Sequence, residues 1–313
     1  MHRPQSSWTQ VSAVALVVLA CSPLAAQEAA PAAARRPYRV LAPGVIQSVD
    51  PQRELAESFS RHDLVELLAV DAKFDWAKDR PFRHDVWTLD FRFKPMRMIW
   101  IDVPQAGGNM QRKLIWYMVY SVTNHKVPEK IFDGAGPEPP PQFGWLRPVE
   151  AANGTYQVQS GSGPIRFIPE FLLESKEFGT VYRDTVIPVA VGPIRLREDR
   201  NRRFYTTVEM CDAGSTGGKI APGETLWGVV TWQDIDPRID RFSVYVQGLT
   251  NAYHWRDEPG AYKKDDRIGT GRRISRKTLK LNYWRPGDEY YEHEREIRYG
   301  GIPEEVDYEW VYR

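Results

Sequence analysis

Three aspartates in one turn, Asp234, Asp236 and Asp240, are the side chains whose chemistry is easiest to name. Carboxylates at this spacing can gather around calcium, which takes oxygen ligands. The stretch also holds Pro237 and lacks the glycine and closing glutamate of an EF-type loop. The rival role for these aspartates is to bond the backbone of their own turn. Gly214-Ser215-Thr216-Gly217 sets a serine among glycines. A nucleophile elbow needs a helix directly after its serine; Gly218, Lys219 and Pro222 deny one, so a plain loop is expected. The six histidines are scattered, and none has His-Glu-x-x-His spacing. His293 stands among Glu292, Glu294 and Glu296, but neighbours in an extended chain point to opposite faces. No catalytic residue and no cofactor is assigned, and the three aspartates are the one metal candidate.

Binding chemistry concentrates near the C-terminus. Lys263 to Arg285 holds nine basic and two acidic residues, and Asp288 to Glu309 holds nine acidic and two basic. The blocks flank Arg285-Pro286-Gly287-Asp288, a natural turn. Folded back as antiparallel neighbours they would pair opposite charges, each pair contributing about 0.2–1 kcal/mol. The alternative is a two-signed docking surface for a protein or an anionic glycan. Trp284, Arg285, Tyr290 and Tyr291 cluster at that turn, where exposed rings would stack on sugars or anchor a protein contact.

The elements that must position these groups are mostly strands. Trp87, Leu89, Phe91 and Phe93 alternate with polar residues, Pro95 breaks the run, and Met96–Val103 resumes it. Between Leu114 and Thr123, Trp116, Met118 and Val122 occupy one face while Ile115, Tyr117 and Val119 fill the other. A strand apolar on both faces belongs in the middle of the structure. Residues 126–163 hold six prolines and read as a long surface insertion, with a small hairpin at 155–159. Ile165, Phe167, Phe171 and Leu173 alternate around Pro169, which predicts an edge strand or a bulge. Leu226–Trp232, Phe242 to Val246, Leu279 to Tyr283 and Val306 to Tyr312 complete the strands. Asp50-Pro51 predicts a short helix over 51–60, while 187–199 has no clear pattern beyond a helical turn opened by Pro193. About ten strands with few helices predict a mainly β chain, an antiparallel immunoglobulin-like β-sandwich with long loops.

The first 26 residues have no acidic side chain, one arginine (Arg3), and an apolar stretch from Val11 to Ala20 broken only by Ser12. That is too short to span a bilayer core, which takes about 20 apolar residues, and it fits a secretory signal over 1–26. Val18-Leu19-Ala20-Cys21 resembles a lipobox with Cys21 as the lipidated residue; ordinary cleavage after Ala26 is the rival. Either way Cys211 has no intramolecular partner, so stability must come from a core. Residues 27–40 read as a flexible tether, 41–256 as the sandwich domain, and 257–313 as charged, aromatic strands completing it. Loss of Arg3 leaves 41 basic against 41 acidic residues, which argues against nucleic-acid binding.

The order Val122-Thr123-Asn124, Phe171-Leu172-Leu173, Gly179-Thr180-Val181-Tyr182, then Ile220-Ala221-Pro222-Gly223-Glu224 leading to Gly228-Val229-Val230-Thr231 resembles the telokin-like, immunoglobulin-type domains of secreted bacterial proteins. The mature chain is also similar to exported planctomycete-type bacterial proteins. The resemblance covers about 114–247 and implies a fold, with no active site attached. The expected role is a non-enzymatic envelope protein, periplasmic or on the cell surface, that contacts an envelope protein or organises the surface. The alternative is a carbohydrate-binding module that holds surface polysaccharide on its aromatic side chains. A secreted hydrolase with two carboxylates brought together by the fold ranks last. Any membrane contact would run through a lipid on Cys21.

Overall fold

The computed structural model describes residues 46–49, 85–132, 141–150, 156–261, 270–285 and 297–313, all within a unit spanning 37–313. The predicted helix over 51–60 lies outside them. In chain order the strands are β1 (Gln47–Ser48), β2 (Val86–Thr88), β3 (Asp90–Phe93), β4 (Arg97–Pro104), β5 (Met110–Thr123), β6 (Lys130–Phe132), β7 (Gly144–Glu150) and β8 (Tyr156–Gly161). There follow β9 (Glu170–Ser175), β10 (Val181–Arg183), helices α1 (Pro188–Glu198) and α2 (Thr207–Met210), then β11 (Thr225–Trp232) and β12 (Arg241–Gln247). β13 (Tyr253–Asp257), β14 (Arg272–Trp284), β15 (Arg298–Tyr299) and β16 (Tyr308–Tyr312) end the chain.

The protein is mainly β and antiparallel. In the first sheet β5 lies between β11 on one side and β3 and β4 end to end on the other, with β1 outside β3. In the second, β14 lies between β12 and β13 on one side and β15 and β16 on the other, and β9 and β10 continue beyond β12. The two sheets pack face to face. Phe91, Phe93, Trp116, Met118, Tyr120, Val122 and Val230 from the first meet Phe171, Leu173, Phe242, Val244, Leu279, Leu281 and Tyr283 from the second.

The other face of β5 has its own core. Ile115, Tyr117 and Val119, with Ile101 and Val229, receive Ile187, Ala190 and Ile194 from α1 and its lead-in. β5 is therefore covered on both faces, as its sequence requires. Pro188 opens α1 at a position where its missing N–H and fixed φ cost nothing. Pro193 sits inside the helix rather than at its start. An interior proline is unfavourable by about 3 kcal/mol in an isolated helix, so burial of Ala190 and Ile194 must hold this segment helical. At its far end Glu198, with 2% of its side chain exposed, accepts from Arg97 Nη1 (3.1 Å) and the Tyr117 hydroxyl (2.8 Å) and pairs with Lys94 Nζ (3.5 Å).

Three expectations need correction. The run from Trp87 to Phe93 is not one strand: at Leu89, whose N–H bonds to the Leu249 carbonyl at 2.8 Å, it passes from β2 to β3 and so from one sheet to another. Residues 126–163 are not a mere surface excursion, because β2, β7, β8 and β6 form a four-stranded antiparallel sheet in that order. Trp145 closes it against β8: a Cβ on Gly161 would come 2.2 Å from the indole, so this close approach requires glycine. Pro169 precedes β9, which is paired on both sides by β10 and β12, so no edge or bulge arises there.

Candidate functional site

Antiparallel register brings together two segments far apart in the chain. Arg241 at the start of β12 faces Trp284 at the end of β14, and the Arg285 N–H bonds to the Asp240 carbonyl at 2.7 Å. The loop after β15 closes the space above them. Gly300 and Gly301 have φ of 60° and 71°, the left-handed region that glycine enters without cost. A Cβ on Gly300 would stand 2.4 Å from the Asp307 carboxylate carbon, and Asp307 accepts the Gly301 N–H at 2.8 Å. This tight return sets Ile302 and Pro303 against the strand ends. The result is a cavity of about 260 Å³ lined by Asp240, Arg241, Trp284, Arg285, Gly301, Ile302 and Pro303.

Its chemistry is cationic and aromatic. The Arg285 side chain is buried, with its guanidinium carbon 5.7 Å from the Trp116 ring centre. The Trp284 indole is fixed by its N–H to the Gly300 carbonyl (3.2 Å) and by the Arg298 guanidinium 4.8 Å from its ring centre. Arg241 is 57% exposed and stands 3.9 Å from Glu305. Among the described residues Asp240 is the one carboxylate in the lining. The Arg285 guanidinium turns inward to Trp116, so the wall can seat an anionic group against the exposed Arg241 guanidinium, with the Trp284 indole beside it. Hydrolysis by two carboxylates would need a second acid within this space.

Trp284, Arg285 and Asp240, singled out separately from sequence, thus share one cavity, while Tyr290, Tyr291, His293 and Cys21 lie outside the described residues. Asp234 and Asp236 do not join Asp240. Asp234 pairs with Lys113 Nζ at 2.8 Å, and Asp236 accepts the backbone N–H and guanidinium of Arg238, which hold its carboxyl down to about 2. Among the described residues no three His, Cys, Asp or Glu side chains gather as a metal site. Ser215 donates to Glu224 at 2.8 Å, and Glu224 also accepts the Ala221 N–H at 2.7 Å, so this carboxylate staples the glycine-rich loop. Cys211 is a free thiol, pushed up chiefly by burial.

One pair escaped the sequence reading. Asp90 occupies a polar phase of its strand, yet it is 3% exposed and accepts from Arg92 (3.1 Å) and His125 Nε2 (2.9 Å). His125 also stacks on Phe143, 4.6 Å between ring centres. No spacing signal links these residues, since 35 positions separate Asp90 from His125. No family model, curated protein or solved structure matches this chain.

Proposed function

We propose that the protein is a non-enzymatic binding module of the bacterial envelope whose cavity receives an acidic side chain or C-terminal carboxylate of an envelope protein. The observation that carries this reading is the exposed Arg241 guanidinium paired across the strands with the Trp284 indole at a space of about 260 Å³. Pockets that enclose a drug-sized ligand measure roughly 300–1,000 Å³, so this one suits a single anchoring group. Arginine and tryptophan are also the side chains that dominate binding energy at interfaces. The leader over 1–26 supports an envelope location, with Cys21 as the point of lipid attachment if the lipobox is used. Among the described residues no helix is long and apolar enough to cross a membrane. The balanced charge supports partners other than nucleic acid.

A second reading, retention of surface polysaccharide, is favoured by the Trp284 indole in the cavity wall, where an aromatic face can hold a sugar ring. Co-sedimentation of residues 27–313 with isolated envelope material separates the two. Arg241→Ala and Trp284→Ala are each expected to weaken retention on the order of tenfold or more, since truncating an arginine or tryptophan that anchors an interface costs about 2 kcal/mol. Protease treatment of the envelope material should abolish binding. Retention that survives protease but falls with Trp284→Ala selects polysaccharide. Retention unchanged in both variants rejects the cavity as the site.

A further inference from the structure

The outer edge of β4 carries a pattern of its own. Among the described residues β4 pairs only with β5, from Arg97↔Tyr117 to Pro104↔Met110. Two contacts fix which backbone groups face outward. The Gln105 N–H bonds across the hairpin to the Asn109 carbonyl (2.8 Å), while the Met98 carbonyl accepts from Arg197 Nη1 (2.9 Å) on the far side. An antiparallel ladder alternates inward and outward residues, so Arg97, Ile99, Ile101 and Val103 bond to β5. Met98, Trp100, Asp102 and Pro104 then turn their backbone groups away from it. Trp100 is 39% exposed, Asp102 is exposed, and Met110 at the hairpin end is 60% exposed. An exposed edge of this kind is a template for another strand.

We infer that two copies of this chain pair through β4 about a two-fold axis at Ile101. In that register Trp100 of each copy faces Asp102 of the other, and the two residues exchange both backbone hydrogen bonds. The Met98 N–H meets the Pro104 carbonyl of the second copy. Proline has no N–H to return to Met98, and the Met98 carbonyl needs none because Arg197 already occupies it. The two irregular points of the edge thus fall opposite each other, and no outward group is left unmatched. A register centred on Trp100 would instead set Asp102 of the second copy against the carbonyl that Arg197 holds. Side chains agree with the Ile101-centred pairing. The Arg112 guanidinium lies 5.8 Å from the Trp100 ring centre, so Asp102 of the second copy arrives beside a cation. On the opposite face Ile101 meets its own equivalent and Ile99 meets Val103, joining the apolar stripes that α1 covers. The two first sheets become one.

Sedimentation velocity of the purified protein across micromolar concentrations tests the pairing. The unsubstituted protein is expected to dimerise. Trp100→Pro removes an outward N–H together with the indole and leaves the bonds to β5 in place, a change that edge positions tolerate, and should give a monomer with an unchanged far-ultraviolet spectrum. Asp102→Arg places like charges opposite Arg112 and should raise the dissociation constant by about tenfold or more. Adding Arg112→Asp to it should restore association. A protein that stays monomeric at 100-fold dilution steps up to about 100 μM overturns the inference, as does a dimer that Asp102→Arg leaves intact. If Trp100→Pro fails to fold, the charge-reversal pair alone decides.

Discussion

Tyr120 has a buried hydroxyl with no hydrogen-bond partner among the described residues, its ring packed 5.0 Å from Phe171 and 5.6 Å from Phe91. A buried polar group left unmatched costs about 1–3 kcal/mol. Tyr120→Phe is therefore expected to stabilise the protein by ~1 kcal/mol, read as a rise in the urea midpoint at constant slope. Gly228 lies opposite on β11, and a Cβ there would stand 2.5 Å from that hydroxyl, so the fit depends on glycine. Single side chains were the least legible level of the sequence. Asp90 follows the polar phase of its strand but is buried by Arg92 and His125. Asp240, Trp284 and Arg285 were each visible as residues of interest, yet only the β12–β14 register makes them neighbours. Alternation reports which face a residue takes, and register is decided by pairing partners that no local window contains.

Among the elements, α1 is held by the Glu198 carboxylate, by the Arg197 bond to the Met98 carbonyl and by buried Ala190 and Ile194. Lys94 and Arg97, 9% and 14% exposed at their side chains, both turn to Glu198. Removing that charge strands two largely buried cations. Glu198→Gln is expected to cost about 3 kcal/mol in chemical denaturation, with faster amide hydrogen exchange confined first to 188–198. The Tyr117 phenol reports on the same contact: burial, then the Glu198 charge, pushes its proton affinity up. The helix was nearly illegible because Pro193 and Gly192 argue against it and only Ala190 and Ile194 are buried; tertiary contact overrides propensity here. The β6–β8 sheet was hidden for a related reason. Its strands sit among prolines and glycines that mark turns, and β2, which completes it, is distant in sequence. β5, β11 and β12 were legible because each follows an apolar pattern longer than any turn signal that interrupts it.

At the scale of the whole molecule the two-sheet architecture was the most legible feature, since period-two alternation recurs through the chain and helices are short. Several tyrosines lie in or against its core. Tyr117, Tyr120, Tyr283 and Tyr299 all have proton affinities raised first by burial. An acid whose folded value is raised contributes stability that is fully present below its unfolded value. That contribution is lost as pH climbs above the ~10 of an exposed phenol. The thermal midpoint should therefore hold through neutral pH and fall increasingly steeply beyond about pH 10. Tyrosinate absorbance from these four residues should appear with unfolding and not before it.

The doubly apolar β5 also fixes a schedule. Its partner β11 begins at Thr225, and β14 waits for Tyr312, the next-to-last residue, to take its place opposite Lys277. At roughly 5–20 residues per second, a ribosome takes roughly 5–20 s after Thr123 before β11 starts to exist. For that interval β5 has β3 and β4 along one edge only, and its other edge waits for β11. The first sheet thus stays open along one edge until β11 has been made, a state in which a polypeptide can still be threaded or held by a chaperone.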